Sequence, residues 1–508
     1  WSSPSQCPDV ITGWNSRFFD IPYIVNRILR IHGEEFAKRL SPWGLVDRRD
    51  ITTMQRKQCA YEIQGIAQMD YLELFKKFGY SYGPQETYKL DHIAHVVLGE
   101  NKLSYEEHGN LHTLYKYDHQ KFIDYNIKDV ELVDRLEHKM GLITLALTMA
   151  YRGGVNYGDV MGTTAIWDAI IFRNLYANNV IVPFAEEKFK SPYPGGYVKD
   201  PKTGMHEWVV SFDLNSLYPS IIMQYNMSPE TIISGKVGNV TVDKLSESPV
   251  TPPRTSNECM AASGQYFTTD KQGILPKIID QMYSERVVIK RQMIAAQKEL
   301  EKVDKTNKTE LYKIQRDISI AENQQMSVKK NLNRHLLVFS NTNILLNSLY
   351  GALGNKYFRF FDQRIAEGIT LTGQLTIRWA ETAINDYLRK ILKTKKDYVV
   401  AIDTDSVYVV LDDLVKAVSP VNPLEFVDTV CKEKLETVLE DSYAKLFEML
   451  GGIENRMVMK REAIADRGIW TAKKRYILNV LDNEGVRYAE PKLKIMGIEA
   501  IKSSTPAP

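Results

Sequence analysis

This 508-residue chain has little cysteine, no long apolar run and no excess of either charge. Its four cysteines, Cys7, Cys59, Cys259 and Cys431, are scattered with no Cys-x-x-Cys pair. Their spacing argues against a zinc site and makes a reducing, cytosolic compartment the default. The longest apolar stretch, around Gly141 to Tyr151, is too short to span a bilayer, so no membrane partner is expected. No basic-then-apolar leader opens the chain, and its start on Trp1 rather than Met reads as that of an interior fragment. Lys and Arg total 65 against 63 Asp and Glu, a net charge of +2. That balance argues neither for nor against nucleic acid, because basic DNA contacts and an acidic metal site offset one another.

What is present is a globular composition, 44% hydrophobic and 25% charged, in a chain long enough for two to four domains. Two acidic stretches far apart read as halves of one metal site. They are Ser211-Phe-Asp213-Leu-Asn-Ser-Leu-Tyr218-Pro-Ser220 and Tyr398-Val-Val-Ala-Ile-Asp403-Thr-Asp405-Ser-Val-Tyr-Val-Val410. Each sets carboxylates in or at the end of runs rich in Val, Ile and Tyr, which favour strands. Asp403 and Asp405 share one face if on a strand and converge if in a tight turn. Hard carboxylate oxygens suit Mg²⁺, and a pair of such ions clamps the attacking and leaving oxygens of phosphoryl transfer. Taken alone, an Asp-x-Asp is more often a turn or a solvated pair.

Residues 1 to about 142 mix strand-like and helical patterns and end in an acidic helix around Ile123 to His138. Ser191-Pro-Tyr193-Pro-Gly195-Gly196-Tyr is turn chemistry and a plausible boundary. Ser234 to Gly264, rich in Ser, Thr, Pro and Asn, reads as a loop or small insertion rather than core. From Lys277 to Tyr350 there is neither Gly nor Pro. That stretch predicts two long antiparallel helices joined by a turn at Asp304-Lys-Thr-Asn-Lys308.

Ser-Leu-Tyr-Pro-Ser, Asp-Thr-Asp-Ser and, between them, Asn347-Ser-Leu-Tyr350-Gly351 resemble motifs A, C and B of the family B DNA polymerases, in that family's order. The run from Tyr488 to Glu499 and Lys502-Ser-Ser-Thr-Pro506 resembles the replicative polymerases of T-even-like bacteriophages. The resemblance implies a multidomain α/β and α+β chain. It places a partial RNase H-like 3′–5′ exonuclease domain at 1–142 and a connector at 143–184. An antiparallel-sheet palm follows in two parts, 185–272 and 356–508, around helical-hairpin fingers at 273–355, with the thumb absent.

By the same resemblance, Asp213 and Asp405 are bridging metal ligands, with Asp403 beside them and the Leu214 carbonyl as a further ligand. Two Mg²⁺ are implied at this site. Ser216, Leu217 and Tyr218 border the incoming nucleotide, and Tyr218 blocks a 2′ hydroxyl. Tyr350 packs beneath the nascent pair, with Asn347 one turn away. Arg286 and Lys290, four apart on one helix face, grip the triphosphate as a fork of donors and a point charge. Motif B departs from the family pattern, with Asn343 standing where a Lys is usual. Downstream, Trp470-Thr-Ala-Lys473-Lys474-Arg475-Tyr476 suits phosphate contact with stacking against a nucleotide. Lys474 and Tyr476 hold the primer end and Glu462 lies near the metals.

Gly13-Trp14-Asn15-Ser-Arg-Phe-Phe19-Asp20 and Tyr125-Asn-Ile-Lys-Asp129 are similar to the second and third motifs of a DEDD-type 3′–5′ exonuclease. Asn15, Asp20, Tyr125 and Asp129 are then its site residues, and a complete site binds two Mg²⁺. The first motif, an Asp-x-Glu well ahead of Asp20, is absent, so no trimming by residues 1–508 alone is expected. The partners implied are primer-template DNA, deoxynucleoside triphosphates and a sliding clamp reached through a C-terminal tail absent here. The setting implied is the cytoplasm of an infected bacterium. Two other readings stay open: a DNA-binding piece of a split polymerase, and a stand-alone exonuclease.

Overall fold

Carboxylates reach a common site in this chain only because distant strands pair, so strand order is what matters most. The computed structural model describes residues 7–498 except 54–55, 80–81, 84, 183, 185–188, 239, 248–250 and 311–343. Two compact units divide at Ile170 and Ile171.

In the N-terminal unit, β1 (Val10–Gly13) leads to α1 (Asp20–His32), then to the hairpin β2 (Val46–Thr53) and β3 (Arg56–Ile63), and on to β4 (Ala67–Asp70). β1 and β4 pair in parallel, from Val10 opposite Ala67 to Gly13 opposite Asp70. Such a pair needs a crossover, which α1 and the hairpin supply. Ile21 and Val25 of α1 bury against Leu40, Tyr61, Ile63 and Ile66. Asp70 then caps α2 (Tyr71–Phe78), accepting from Leu72 N at 2.9 Å. The acidic helix is present as α3 (His119–Met140), capped by Asp118 and stopped by Gly141 at φ 64°.

The second unit is built on a seven-stranded sheet of β5 (Val198–Lys199), β6 (Gly204–Leu214), β10 (Val399–Asp403), β11 (Ser406–Val410), β12 (Met459–Ala472), β13 (Arg475–Asn483) and β14 (Val486–Met496). Their spatial order is β14-β13-β12-β6-β11-β10-β5, and every neighbouring pair is antiparallel. β6 lies between β11 and β12, which places Asp213 in the middle of the sheet. α4 (Leu217–Gln224) leaves the end of β6 through Ser216. A 30-residue helix, α7 (Gln363–Leu392), packs on α4, β10 and β11.

Ser234 to Gly264 differs from the expected loop. β7 (Ile232–Lys236), β8 (Glu258–Met260) and β9 (Gln265–Thr268) form a three-stranded sheet in the order β7-β9-β8. Cys259, Met260, Ala261 and Ala262 are fully buried, and Ala262 N donates to Thr372 Oγ1 of α7 at 3.0 Å. Ser, Thr, Pro and Asn made this segment read as a loop or small insertion, but it also holds the small residues Cys259, Ala261 and Ala262. Their size is instead what lets α7 approach, with a Cβ on Gly368 only 3.3 Å from that of Ala261.

The expected turn at Asp304–Lys308 is also corrected. α5 runs unbroken from Ile274 to Glu310, through those residues. Polar residues can interrupt apolar spacing without interrupting a helix. The second arm of the expected hairpin lies outside the described residues until α6 (residues 344–353).

Candidate active site

β10 and β11 meet at the two-residue turn Thr404–Asp405, with Asp403 opposite Ser406. Thr404 sits at φ +59°, a costly conformation for a β-branched residue. Thr404 N donates to Tyr197 O (2.9 Å), and a Cβ on Gly196 would fall 2.9 Å from Thr404 Cγ2. Gly196 therefore has no side chain because it packs on the carboxylate turn.

β11 pairs with β6 so that Ser406 lies opposite Asp213, and Leu214 N donates to Asp405 O at 2.9 Å. Asp213 and Asp405 are thus brought to adjoining strand ends. Ser406 Oγ donates to Asp213 Oδ1 at 3.3 Å. Burial, then the charges of Asp405 and Glu462, push the Asp213 carboxyl up to about 8. Burial, then Asp403 and Glu462, push Asp405 up to about 6. Burial and like charge both disfavour the ionised carboxyls here.

Neighbouring acids are already committed. Lys474 Nζ lies 3.2 Å from Asp403 Oδ1. Glu462 accepts from Ser211 Oγ (2.9 Å) and Lys494 Nζ (3.0 Å). Pairing shifts by a residue between Arg461 and Ala463, and this bulge turns Glu462 toward the acidic end of β6. Among the described residues, no group of three His, Cys, Asp or Glu stands ready to hold a metal. An oxygen-only pair still fits Mg²⁺, which commonly takes one or two carboxylates and completes its shell with water and phosphate.

Above the carboxylates, the Tyr218 and Tyr350 rings lie 4.6 Å apart at 38°. Gly373 of α7 makes room, since a Cβ there would sit 3.1 Å from Tyr218 Cε1. Ser216, at φ +49°, has a buried hydroxyl without a hydrogen-bond partner. Arg286 is 7% exposed on α5, and burial lowers its proton affinity, opposed by Tyr283, Asp213 and Glu484. Lys290, one turn on, pairs with Glu484.

The N-terminal unit holds a cleft of 1410 Å³ lined by Asn15, Asp20, Lys102, Tyr125 and Asp129, among others. Asp20 opens α1 with its exposed surface facing this cleft. Partial burial, and Asp70 to a lesser degree, raise its carboxyl above the ordinary range. Lys102 Nζ donates to Asp129 Oδ2 (2.7 Å) and to Tyr125 OH (3.2 Å). Asp129 Oδ1 is buried with no hydrogen bond, an oxygen suited to a cation. Asp70 accepts from Asn15 N and Arg17 N, both at 3.0 Å, and so shapes the loop leading to Asp20.

The DNA polymerase family B pattern matches residues 162–317, and the family's exonuclease-domain pattern matches 5–93. The DNA-directed DNA polymerase of Escherichia phage RB69 is 36% identical over 99% of this chain and 59% of its own length. That of Enterobacteria phage T4 is 37% identical over 98% and 59%. The chain is similar to the family B DNA polymerases over nearly its whole length. It spans about three-fifths of the length of those phage relatives. Similarity extends to DNA polymerase II of Escherichia coli, 23% identical over 98% of this chain and 54% of that one.

Within the chain, the structure joins Asp213 to Asp405, Tyr218 to Tyr350, and Lys474 to Asp403. It also puts Asp20, Tyr125 and Asp129 around one cleft. Asn347 is exposed on α6, whereas Asn343 lies outside the described residues, as do Glu499 and the segment Lys502–Pro506. The stacking expected of Trp470 and Tyr476 is corrected. These rings are 2% and 6% exposed, stack on each other at 5.6 Å, and Tyr476 OH bonds Tyr408 OH at 2.8 Å. Strand alternation turns them inward and leaves the basic side chains outside. Three residues that sequence reading missed also matter: Lys102, Asp70 and Glu484. Only Asp70 carried a signal, as an N-cap ahead of Tyr-Leu-Glu-Leu-Phe.

Proposed function

We propose that this chain is the polymerase and exonuclease portion of a DNA-templated DNA polymerase that adds deoxynucleotides to a primer 3′ end. The observation that carries it is the register of β6 with β11, which sets Asp213 beside Asp405. In this reading, residues 185–272 and 356–508 are the palm, 273–355 the fingers, 1–142 a partial RNase H-like 3′–5′ exonuclease domain, and 143–184 a connector.

Asp213 and Asp405 would hold two Mg²⁺, with Leu214 O as a further ligand. Bound there, the ions would lower the pKa of the primer hydroxyl and neutralise the triphosphate. The protein's own groups do the positioning. The Tyr218 ring, braced by Tyr350 and Gly373, forms a wall that leaves no room for a 2′ hydroxyl. Arg286 and Lys290 face the acidic pair and take the phosphates, while Lys474, at the β12–β13 turn, faces the primer end. Glu462 sits behind, neutralised by Lys494. In the N-terminal cleft, Asp20 and Asp129 would hold metal while Tyr125 orients a water, with Lys102 holding Asp129 in place. Primer-template DNA, deoxynucleotides and a sliding clamp are the partners, in the cytoplasm of a phage-infected bacterium. Among the described residues no helix is long and apolar enough to cross a membrane.

Primer extension with Mg²⁺ and the four deoxynucleotides tests this reading. Asp213→Asn and Asp405→Asn should each slow single-turnover incorporation about 10²–10³-fold, as loss of one electrostatic stabiliser does. Extension that survives both substitutions would overturn the reading.

A further inference from the structure

Lys290 is one turn from Arg286 on the same face of α5, close enough to Asp213 to lower that carboxyl's proton affinity. Its partner in this structure is Glu484, at the tip of the β13–β14 hairpin, and the two side chains are 22% and 26% exposed. Nothing in the proposed chemistry uses Glu484, yet its backbone is held unusually firmly. Glu484 sits at φ +49° and Gly485 at φ +79°. Glu484 N donates to Glu462 O at 2.6 Å, and Gly485 N to Asp482 Oδ1 at 3.0 Å.

Asp482 is itself fully buried and paired with Arg461, and Arg487 Nε lies 3.1 Å from its other oxygen. Asp428 meets both arginines at 2.8 Å. A buried four-charge network therefore fixes the hairpin whose tip presents one carboxylate to the one lysine. A carboxylate held this way competes with any other anion for that ammonium.

We infer that Glu484 is a built-in stand-in for the incoming polyphosphate, holding Lys290 at rest and setting the affinity with which a triphosphate binds. The inference rests on the polymerase reading for the identity of the anion. An arriving triphosphate brings several charges against one, takes Lys290, and releases Glu484 toward solvent at the half-buried hairpin tip. No bond is made or broken in this step.

Calorimetric titration of the whole chain with inorganic tripolyphosphate in EDTA tests it without metal or turnover. Glu484→Gln should bind at least fivefold more tightly than the parent, and Lys290→Ala should erase that gain in the double variant. Glu484→Gln keeps the backbone bonds of the turn, and an unchanged melting temperature checks that it folds. Unaltered affinity in Glu484→Gln, or a gain that persists without Lys290, overturns the inference. A fivefold gain with no primer extension by any variant supports the displacement while sinking the polymerase reading. Extension without the gain does the reverse.

Discussion

Gly373 has no side chain where one would meet Tyr218, its Cβ position lying 3.1 Å from the ring's Cε1. Helix α7 thereby presses Tyr218 against Tyr350 and fixes the wall of the proposed nucleotide pocket.

Gly373→Ala should shift that ring and destabilise the chain by about 1–3 kcal/mol, as overpacking does. The shifted ring should also change the ratio of ribonucleotide to deoxynucleotide incorporation. Tyr218→Ala removes the wall altogether, and the ratio should rise at least about tenfold, the effect of losing a contact worth some 1.4 kcal/mol. Competing incorporation on one template measures both, and an unchanged ratio in Tyr218→Ala rules out the wall.

The repulsion between Asp213 and Asp405 predicts a stability signature. Without divalent metal, Asp213→Asn should raise the melting temperature, because a half-buried like-charge pair is relieved. With Mg²⁺ at a hundred times its Kd, the parent should gain about 2.7 kcal/mol and the variant much less. Scanning fluorimetry in EDTA and in Mg²⁺ gives both numbers. A variant that melts below the parent in EDTA contradicts the repulsion.

Arg461 is 3% exposed by its side chain and bound to Asp428 and Asp482. Arg461→Ala leaves two buried carboxylates facing a gap and should cost about 3–5 kcal/mol. Urea denaturation measures it, and a loss under 1 kcal/mol would show the network relaxing instead.

Asp397 provides the acid limb of the stability profile. Burial raises its carboxyl, but Lys199 at 2.7 Å and Asn385 at 2.8 Å outweigh burial and hold it down at about 2. A depressed native value means stability that is complete above the unfolded carboxyl's pKa, near 4, and lost as pH falls toward 2. Denaturation midpoints of Asp397→Asn should accordingly lie below the parent's at pH 6 and converge with them by about pH 2. Parallel profiles would contradict the assignment.

Asn343 stands where family B pattern expects a lysine. Asn343→Lys should speed single-turnover incorporation at least tenfold, since general acid catalysis is worth about 10²–10⁴-fold. Quench-flow kinetics on matched primer-templates decide it, and an equal rate removes Asn343 from the chemistry.

Much of the site was legible in the letters. Apolar runs ending in Asp213 and Asp403 announced strand ends, and Tyr125 and Asp129 announced a helix face. What misled were local patterns open to two readings. Polar residues at 304–308 looked like a turn but continue α5, because a helix does not need apolar spacing in every turn. Ser234–Gly264, rich in Ser, Thr, Pro and Asn, looked like a loop, but its residues 259–262 are buried and bond to α7. Trp470 and Tyr476 looked free to stack but point into the core.

Residue order by itself determined which groups exist and their local geometry: the acid-bearing strand ends, the helix face of Arg286 and Lys290, and the family the chain resembles. Only the tertiary structure decided who meets whom. Asp213 with Asp405, Tyr218 with Tyr350, Lys102 with Asp129 and Lys290 with Glu484 are each joined by pairing or packing between elements distant in the chain. Local propensity acts over a few residues, whereas these contacts are selected by the burial and strand register of a whole sheet, which no short stretch encodes.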